Sequence, residues 1–353
     1  MSLATLELSP LPILDAFENY SGSITDLDRG AVCRAQILHT RRDQLSDWCR
    51  DRGLGTGDRV ILSVGNGPAF VTALAAVLSA GGAPLLLHAD TPPEELNRFA
   101  QSFGARFILC EVPSATALTA ISNEISSIEL DSFPPLHWAV IDDEHADFDS
   151  SYPSIAGVPL HPTSGTTGRP KVAVRPARAA IAEASNYRET MDVSATDRML
   201  CVVPMSHAYG FGTCVMLPLV SGADVVSTRR FNPRLVQRTL RENAITIFPA
   251  VPAMLDLLMV GAADGLTPAS RHVLSAGAPL PERTANAFLE KTGAVVSPLY
   301  GTTETGGISV AVGGSRASVG ACVGPTMRPV SVVVRPVAAP DFQEGVGRVC
   351  VRS

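Results

Sequence analysis

Residues 53–87 read GLGTGDRVILSVGNGPAFVTALAAVLSAGGAPLLL. Arg59–Val64 is a short β-branched run of strand length, and Pro68 opens an uncharged stretch that continues to Leu87. Without a charge over twenty residues, this length could nearly span a bilayer. Gly81, Gly82 and Pro84 interrupt it, however, and divide it into a helix, a turn and a strand over Pro84–Leu87. The expected unit is therefore strand, buried helix, strand, as in the core of an α/β protein.

The same alternation recurs on both sides. Phe107–Cys110, His137–Ile141, Met199–Val203, Asp224–Ser227, Ile245–Phe248, His272–Ser275 and Val295–Tyr300 are strand candidates. Pro92–Phe103, Pro233–Glu242 and Pro281–Thr292 are amphipathic helix candidates between them. Strands alternating with helices argue for an α/β fold of stacked, parallel-rich sheets covered by helices on both faces. We divide the chain into a first α/β subdomain over 1–160, a second over 161–306 and a small β unit over 307–353. Past Gly306, Gly, Val and Pro dominate, and the segments near Val330–Val334 and Arg348–Val351 read as its strands. The final GVGRVCVRS stops within strand-like sequence, so a further downstream domain is expected.

The bulk composition narrows the partners. The chain of 353 residues is 46% hydrophobic and 18% charged with formal net charge -6. That suits two or three packed subdomains. Its basic residues are scattered, and neither nucleic acid nor an anionic membrane would find a clustered positive field. The seven cysteines include no CxxC pair, and no histidine stands at zinc-ligand spacing from them. Buried, reduced cysteines in a cytoplasmic protein are expected. The N-terminus has no basic region followed by a long apolar core, so no secretory signal is expected.

The most specific chemical feature is Thr163-Ser164-Gly165-Thr166-Thr167-Gly168-Arg169-Pro170-Lys171. Two glycines allow tight turns with inward N–H groups, four hydroxyls add donors, and Lys171 supplies a compact positive charge. Such a segment can hold a polyphosphate. It is not a Walker A loop, because Pro170 precedes the lysine. On composition alone an ordinary surface loop remains equally open.

The order of these residues resembles, nearly letter for letter, the phosphate-binding loop of the adenylate-forming superfamily of acyl- and aryl-CoA ligases, luciferases and peptide-synthetase adenylation domains. Two departures are Pro162, where an aromatic is common, and Val172, where glycine is usual. The resemblance extends to residues 53–83 as the family's first βαβ element. It also covers VPMSHAYGFG at 203–212, where His207 matches a residue lining the acyl pocket. An isolated histidine is more often structural; its place in the motif favours the pocket.

Ser275-Ala276-Gly277-Ala278-Pro279-Leu280 resembles the adenine-binding turn, and Leu299-Tyr300-Gly301-Thr302-Thr303-Glu304 the fifth core motif. The resemblance implies that Tyr300 stacks on adenine, that Thr303 bonds the α-phosphate and that Glu304 holds Mg²⁺. Gly277, Ala278, Pro279, Gly301 and Thr302 would complete the nucleotide contacts. His207, Phe211, Ala276, Leu299 and Gly301 would line the acyl pocket.

The implied reaction is attack of a substrate carboxylate on the α-phosphorus of ATP, catalysed by Lys171, His207, Thr303 and Glu304. Transfer to coenzyme A or to the phosphopantetheine of an acyl carrier protein would follow. Amino-acid-activating relatives place an aspartate near His207; Ser206, His207 and Tyr209 offer no acid. A small carboxylic acid without an α-ammonium group is therefore expected, since a buried unpaired ammonium is costly.

The family's ribose-binding aspartate, hinge and C-terminal domain with its adenylation lysine have no counterpart. The only lysines, Lys171 and Lys291, do not match it. Little turnover by this chain alone is expected. A stand-alone adenylation domain loading a carrier protein is the near alternative, and a non-catalytic nucleotide- or acid-binding module the alternative of another class. A serine hydrolase is excluded for want of a GxSxG elbow.

Overall fold

A computed structural model describes residues 10–111, 118–141, 158–163, 171–260, 270–313, 322–335 and 347–352. The chain opens with α1 (Leu11–Glu18), β1 (Ser23–Asp26), β2 (Ala31–Arg34) and α2 (Ala35–Arg50). It continues through β3 (Arg59–Ser63), α3 (Pro68–Ser79), β4 (Ala83–Leu86), α4 (Pro93–Phe103), β5 (Phe107–Glu111), β6 (Glu124–Ile128) and β7 (Leu136–Val140). Strands β8 (Leu160–Thr163) and β9 (Lys171–Val174) precede α5 (Ala177–Met191) and β10 (Arg198–Cys201). A helical run then passes from Ala208–Gly210 through a π-helical segment, Phe211–Met216, to Leu217–Ser221. Next come β11 (Asp224–Ser227), α6 (Pro233–Glu242), β12 (Ile247–Ala250), α7 (Pro252–Met259), β13 (His272–Ser275), α8 (Glu282–Thr292), β14 (Val296–Thr302) and β15 (Gly306–Val310). Strands β16 (Ser331–Arg335) and β17 (Arg348–Arg352) end the described chain.

Two sheets result. The first has the order β6-β7-β5-β3-β4-β8-β9, with a parallel centre and antiparallel edges. The second has the order β15-β14-β13-β12-β10-β11-β1-β2, parallel from β14 to β1. Membership therefore crosses the linear boundary at 160: β1 and β2 join the second sheet, and β8–β9 close an edge of the first. β16 and β17 form a separate antiparallel pair, whereas β15, which falls almost wholly within the expected 307–353 unit, joins the second sheet.

The layers follow from strand alternation. In β3, Val60 and Leu62 face a core shared with the second sheet, while Ile61 faces α4. Helix α3 lies in that shared core, buried from Pro68 to Leu78, which is why it carries no charge. It has 12 residues, and no described helix is long and apolar enough to cross a membrane. Helices α6, α7 and α8 cover the other face of the second sheet through Val236, Leu240, Leu258 and Phe288. The cysteines are free, and Cys33, Cys49, Cys110, Cys201 and Cys214 are buried as packing residues.

Candidate active site

The hairpin β8–β9 sets one side of the site. Thr163 pairs with Lys171 in its ladder, and the Thr163 hydroxyl donates to the Lys171 carbonyl at 3.4 Å. The intervening Ser164, Gly165, Thr166, Thr167 and Gly168 lie outside the described residues.

The opposite side is the β14–β15 turn. The ladder runs from Leu299 opposite Val310 to Thr302 opposite Gly306, with an irregularity between Tyr300 and Gly301. Such a bulge re-aims the side chains that follow it. Gly301 allows the two backbones to approach, since a Cβ there would collide with the Gly306 carbonyl. Gly306 itself holds φ at +72°, in the left-handed region that favours glycine.

Between these two sides lies a cavity of about 770 Å³. Its wall contains Thr163 and Lys171 from the hairpin and Thr302, Thr303 and Glu304 from the turn. His207, Ala276, Gly277, Leu299 and Gly301 also line it. Segments separated by more than a hundred residues thus share one space.

Other expected positions fall elsewhere. Ala278 and Pro279 are exposed just beyond the Ala276–Gly277 wall. Tyr300 is 38% exposed and lies outside this wall, although its neighbours Leu299 and Gly301 belong to it. Phe211, expected in the acyl pocket, is fully buried and not part of the wall. It packs edge-on against His161, ring centroids 4.9 Å apart, within the π-helical segment.

His207 is held from behind. The side chain of Asn66, which follows β3, donates to the carbonyls of Val203 at 3.0 Å and Thr228 at 3.2 Å. Its own oxygen accepts the N–H of Met205 at 2.8 Å. This one amide satisfies three main-chain groups just beyond the ends of β10 and β11 and fixes the approach to His207. The His207 Nδ1 accepts from the Tyr209 N–H at 3.4 Å, at the start of the helical run. Burial of the ring by its surroundings lowers its pKa, although the residue stays exposed to the cavity. A neutral imidazole with Nδ1 accepting keeps Nε2–H as a donor.

Sequence reasoning missed the inner wall. Glu183 and Tyr187 of α5 line the cavity, as do Tyr209 and Phe99. The Glu183 carboxylate accepts from the Arg175 guanidinium at 2.6 Å and from the Gly307 N–H at 2.8 Å. Burial, with Glu183 next in effect, pushes the Tyr187 phenol well above its ordinary range, so it remains a donor. One signal was available: Glu183 and Tyr187 stand four residues apart beside the buried small residues Ala180 and Ala184.

Among the described residues no three His, Cys, Asp or Glu side chains gather to hold a metal. Glu304 is a single exposed carboxylate at the cavity wall. One carboxylate beside space for phosphate oxygens suits Mg²⁺, which retains waters and takes most ligands from the substrate.

The family model described as "AMP-binding enzyme" matches residues 36–353, and the chain belongs to that family. It is 27% identical over 310 residues to 4-coumarate–CoA ligase 1 of Oryza sativa subsp. japonica, covering 81% of this chain and 53% of that protein. It is 27% identical over 278 residues to tyrocidine synthase 3 of Brevibacillus parabrevis, covering 76% of this chain and 4% of that protein. The N-terminal domain of FACL13 from Mycobacterium tuberculosis has the same fold: TM-score 0.77, 21% identity, 98% of this chain and 88% of that one. The chain thus spans about half the length of the rice ligase.

Proposed function

We propose that this chain carries the acid-activating half of an ATP-dependent acyl- or aryl-acid ligase. The observation that carries the reading is the shared cavity of Lys171 and Thr163 with Thr303 and Glu304. Family membership and the similarity to a coumarate–CoA ligase support it.

The substrate carboxylate is ionised at neutral pH and needs no general base. Its obstacle is repulsion by the triphosphate. Lys171 supplies a positive charge at one end of that group, while Thr303 donates a hydroxyl at the other. Glu304 would hold Mg²⁺, which when bound offsets phosphate charge as it develops on the departing pyrophosphate. Ala276 and Gly277 let the backbone approach a flat base, and His207 presents Nε2–H toward the acyl side. The gain is in positioning and charge stabilisation.

We assign the acid moiety to the His207–Leu299 side of the cavity. Glu183 brings into this wall a carboxylate that the His207 motif lacks. It is already neutralised by Arg175 at 2.6 Å and offers a substrate ammonium no unbalanced charge. An acid with an uncharged tail fits better, passed on to coenzyme A or to carrier-bound phosphopantetheine.

Non-hydrolysable acyl-sulfamoyl adenosines, titrated against AMP and a panel of free acids, test this. The expected result is that one aryl or acyl mimic binds at least about 100-fold tighter than AMP, the combined effect of two adjacent subsites. Mimics no tighter than AMP, whatever their acyl group, would remove the acid site from the cavity.

A further inference from the structure

Arg175 and Glu183 form an ion pair at 2.6 Å with side chains only 2% and 4% exposed. Each partner also bonds to the same turn of the second sheet. Arg175 Nη1 donates to the Thr303 carbonyl at 3.3 Å, and Glu183 Oε1 accepts from the Gly307 N–H at 2.8 Å. Arg175 directly follows β9, whose first residue is Lys171. The turn packs closely on the carboxylate, since a Cβ at Gly306 would lie 2.5 Å from Glu183 Cδ.

A buried ion pair contributes little net stability, because desolvation of both charges offsets their attraction. Apolar side chains of similar volume would fill the space as well. They could not hold a carbonyl on one limb of the β14–β15 turn and an amide on the other. What the pair supplies is a fixed bridge from the end of the hairpin that carries Lys171 to the turn that carries Thr303 and Glu304.

We propose that Arg175 and Glu183 are a positioning pair that sets the separation between these two sides of the cavity. In this way they set the preference for a triphosphate, which must reach both sides, over a monophosphate, which needs one. The inference rests on the reading of the cavity as an ATP site.

The test compares the 353-residue chain with the double variant Arg175→Met/Glu183→Leu, which removes both charges together, and with Arg175→Lys, which keeps the ion pair but lacks the fork that also reaches Thr303. Titrations with Mg²⁺–ATP and with AMP are run beside amide hydrogen exchange of residues 302–307 and thermal unfolding. In the double variant the unfolding midpoint is expected to fall only modestly, because the relief of burying two charges offsets the partners lost by the Gly307 N–H and the Thr303 carbonyl, while exchange at 302–307 accelerates. The ATP-to-AMP affinity ratio falls about 10- to 100-fold, the size typical of losing a support behind a ligand-holding group. Arg175→Lys shifts the ratio in the same direction by less.

A folded double variant with parental exchange at 302–307, or with ATP and AMP affinities that move together, would overturn the positioning role. Failure of the parent to bind either nucleotide would instead refute the ATP reading. The exchange comparison then decides the bridge by itself, and unchanged protection in the variant rules it out.

Discussion

Asn66 Oδ1 accepts the main-chain N–H of Met205 at 2.8 Å, across 139 positions of sequence. The same side chain donates to Val203 and Thr228, so the loop after β3 of the first sheet holds the segment that leads to His207 in the second. The flanking Gly67, with φ at +136°, gives the chain a backbone conformation that glycine tolerates best.

Removing that amide leaves one N–H and two carbonyls without their partner. At about 0.5–1.5 kcal/mol for each hydrogen bond, Asn66→Ala should destabilise the fold by roughly 2–4 kcal/mol. Urea unfolding measures the loss. Affinity for an acyl-adenylate mimic should fall as well, because His207 loses its support. A variant as stable as the parent would show that water replaces all three bonds.

His161 gives the fold an acid-sensitive element. Burial, with the Arg175 guanidinium adding to it, pushes its pKa down to about 3 from 6.5. Between those values the unfolded chain binds a proton that the folded chain refuses. Its contribution is therefore complete above pH 6.5 and is lost as pH falls toward 3. Over the middle of this window the slope is about 1.4 kcal/mol per pH unit for one proton. His161→Phe, which keeps a ring against Phe211, should flatten the dependence of unfolding free energy on pH by about one proton between pH 6 and 4.5. His137 and His272, whose pKa values burial also lowers, add slopes of the same sign that this substitution leaves in place.

Gly306→Ala tests the turn itself. The position holds φ at +72°, and an added Cβ would meet the Glu183 carboxylate. Left-handed strain and overpacking together should cost about 2–4 kcal/mol. Amide exchange at 302–307 should rise more than elsewhere. Uniformly raised exchange would mean that the turn is not a separate packing unit.

His207→Ala should weaken binding of acyl-adenylate mimics by about 10-fold, one hydrogen-bond donor and one wall lost, while leaving AMP affinity within about a factor of two. Equal losses for both ligands would move His207 from the acyl side to the nucleotide side.

Much of the fold was legible because its central strands are locally encoded. Asp224–Ser227 and His272–Ser275 are strands with the expected bounds, and the uncharged Pro68 segment is a buried helix leading into a strand. Strands β1 and β2 were not, since SITD and AVCR are short and half polar, and β1 pairs with β11 some two hundred residues away. The motifs around Lys171, His207, Ala276 and Glu304 identified positions that meet at one cavity. Phe211 could not be told from a wall residue, because its burial depends on the π-helical turn and on His161. Glu183 stands in no motif that would single it out. Its place in the wall is a tertiary fact, made tolerable by Arg175 and the glycine turn.

The most direct measurement is a double-mutant cycle on Mg²⁺–ATP affinity with Lys171→Ala, Glu304→Gln and the pair. If one triphosphate spans both sides of the cavity, each single change should weaken Mg²⁺–ATP by about 10-fold or more. The two losses should be non-additive by at least about 0.5 kcal/mol, and AMP should be affected far less by Lys171→Ala. ATP affinity untouched by either substitution would contradict a shared phosphate site.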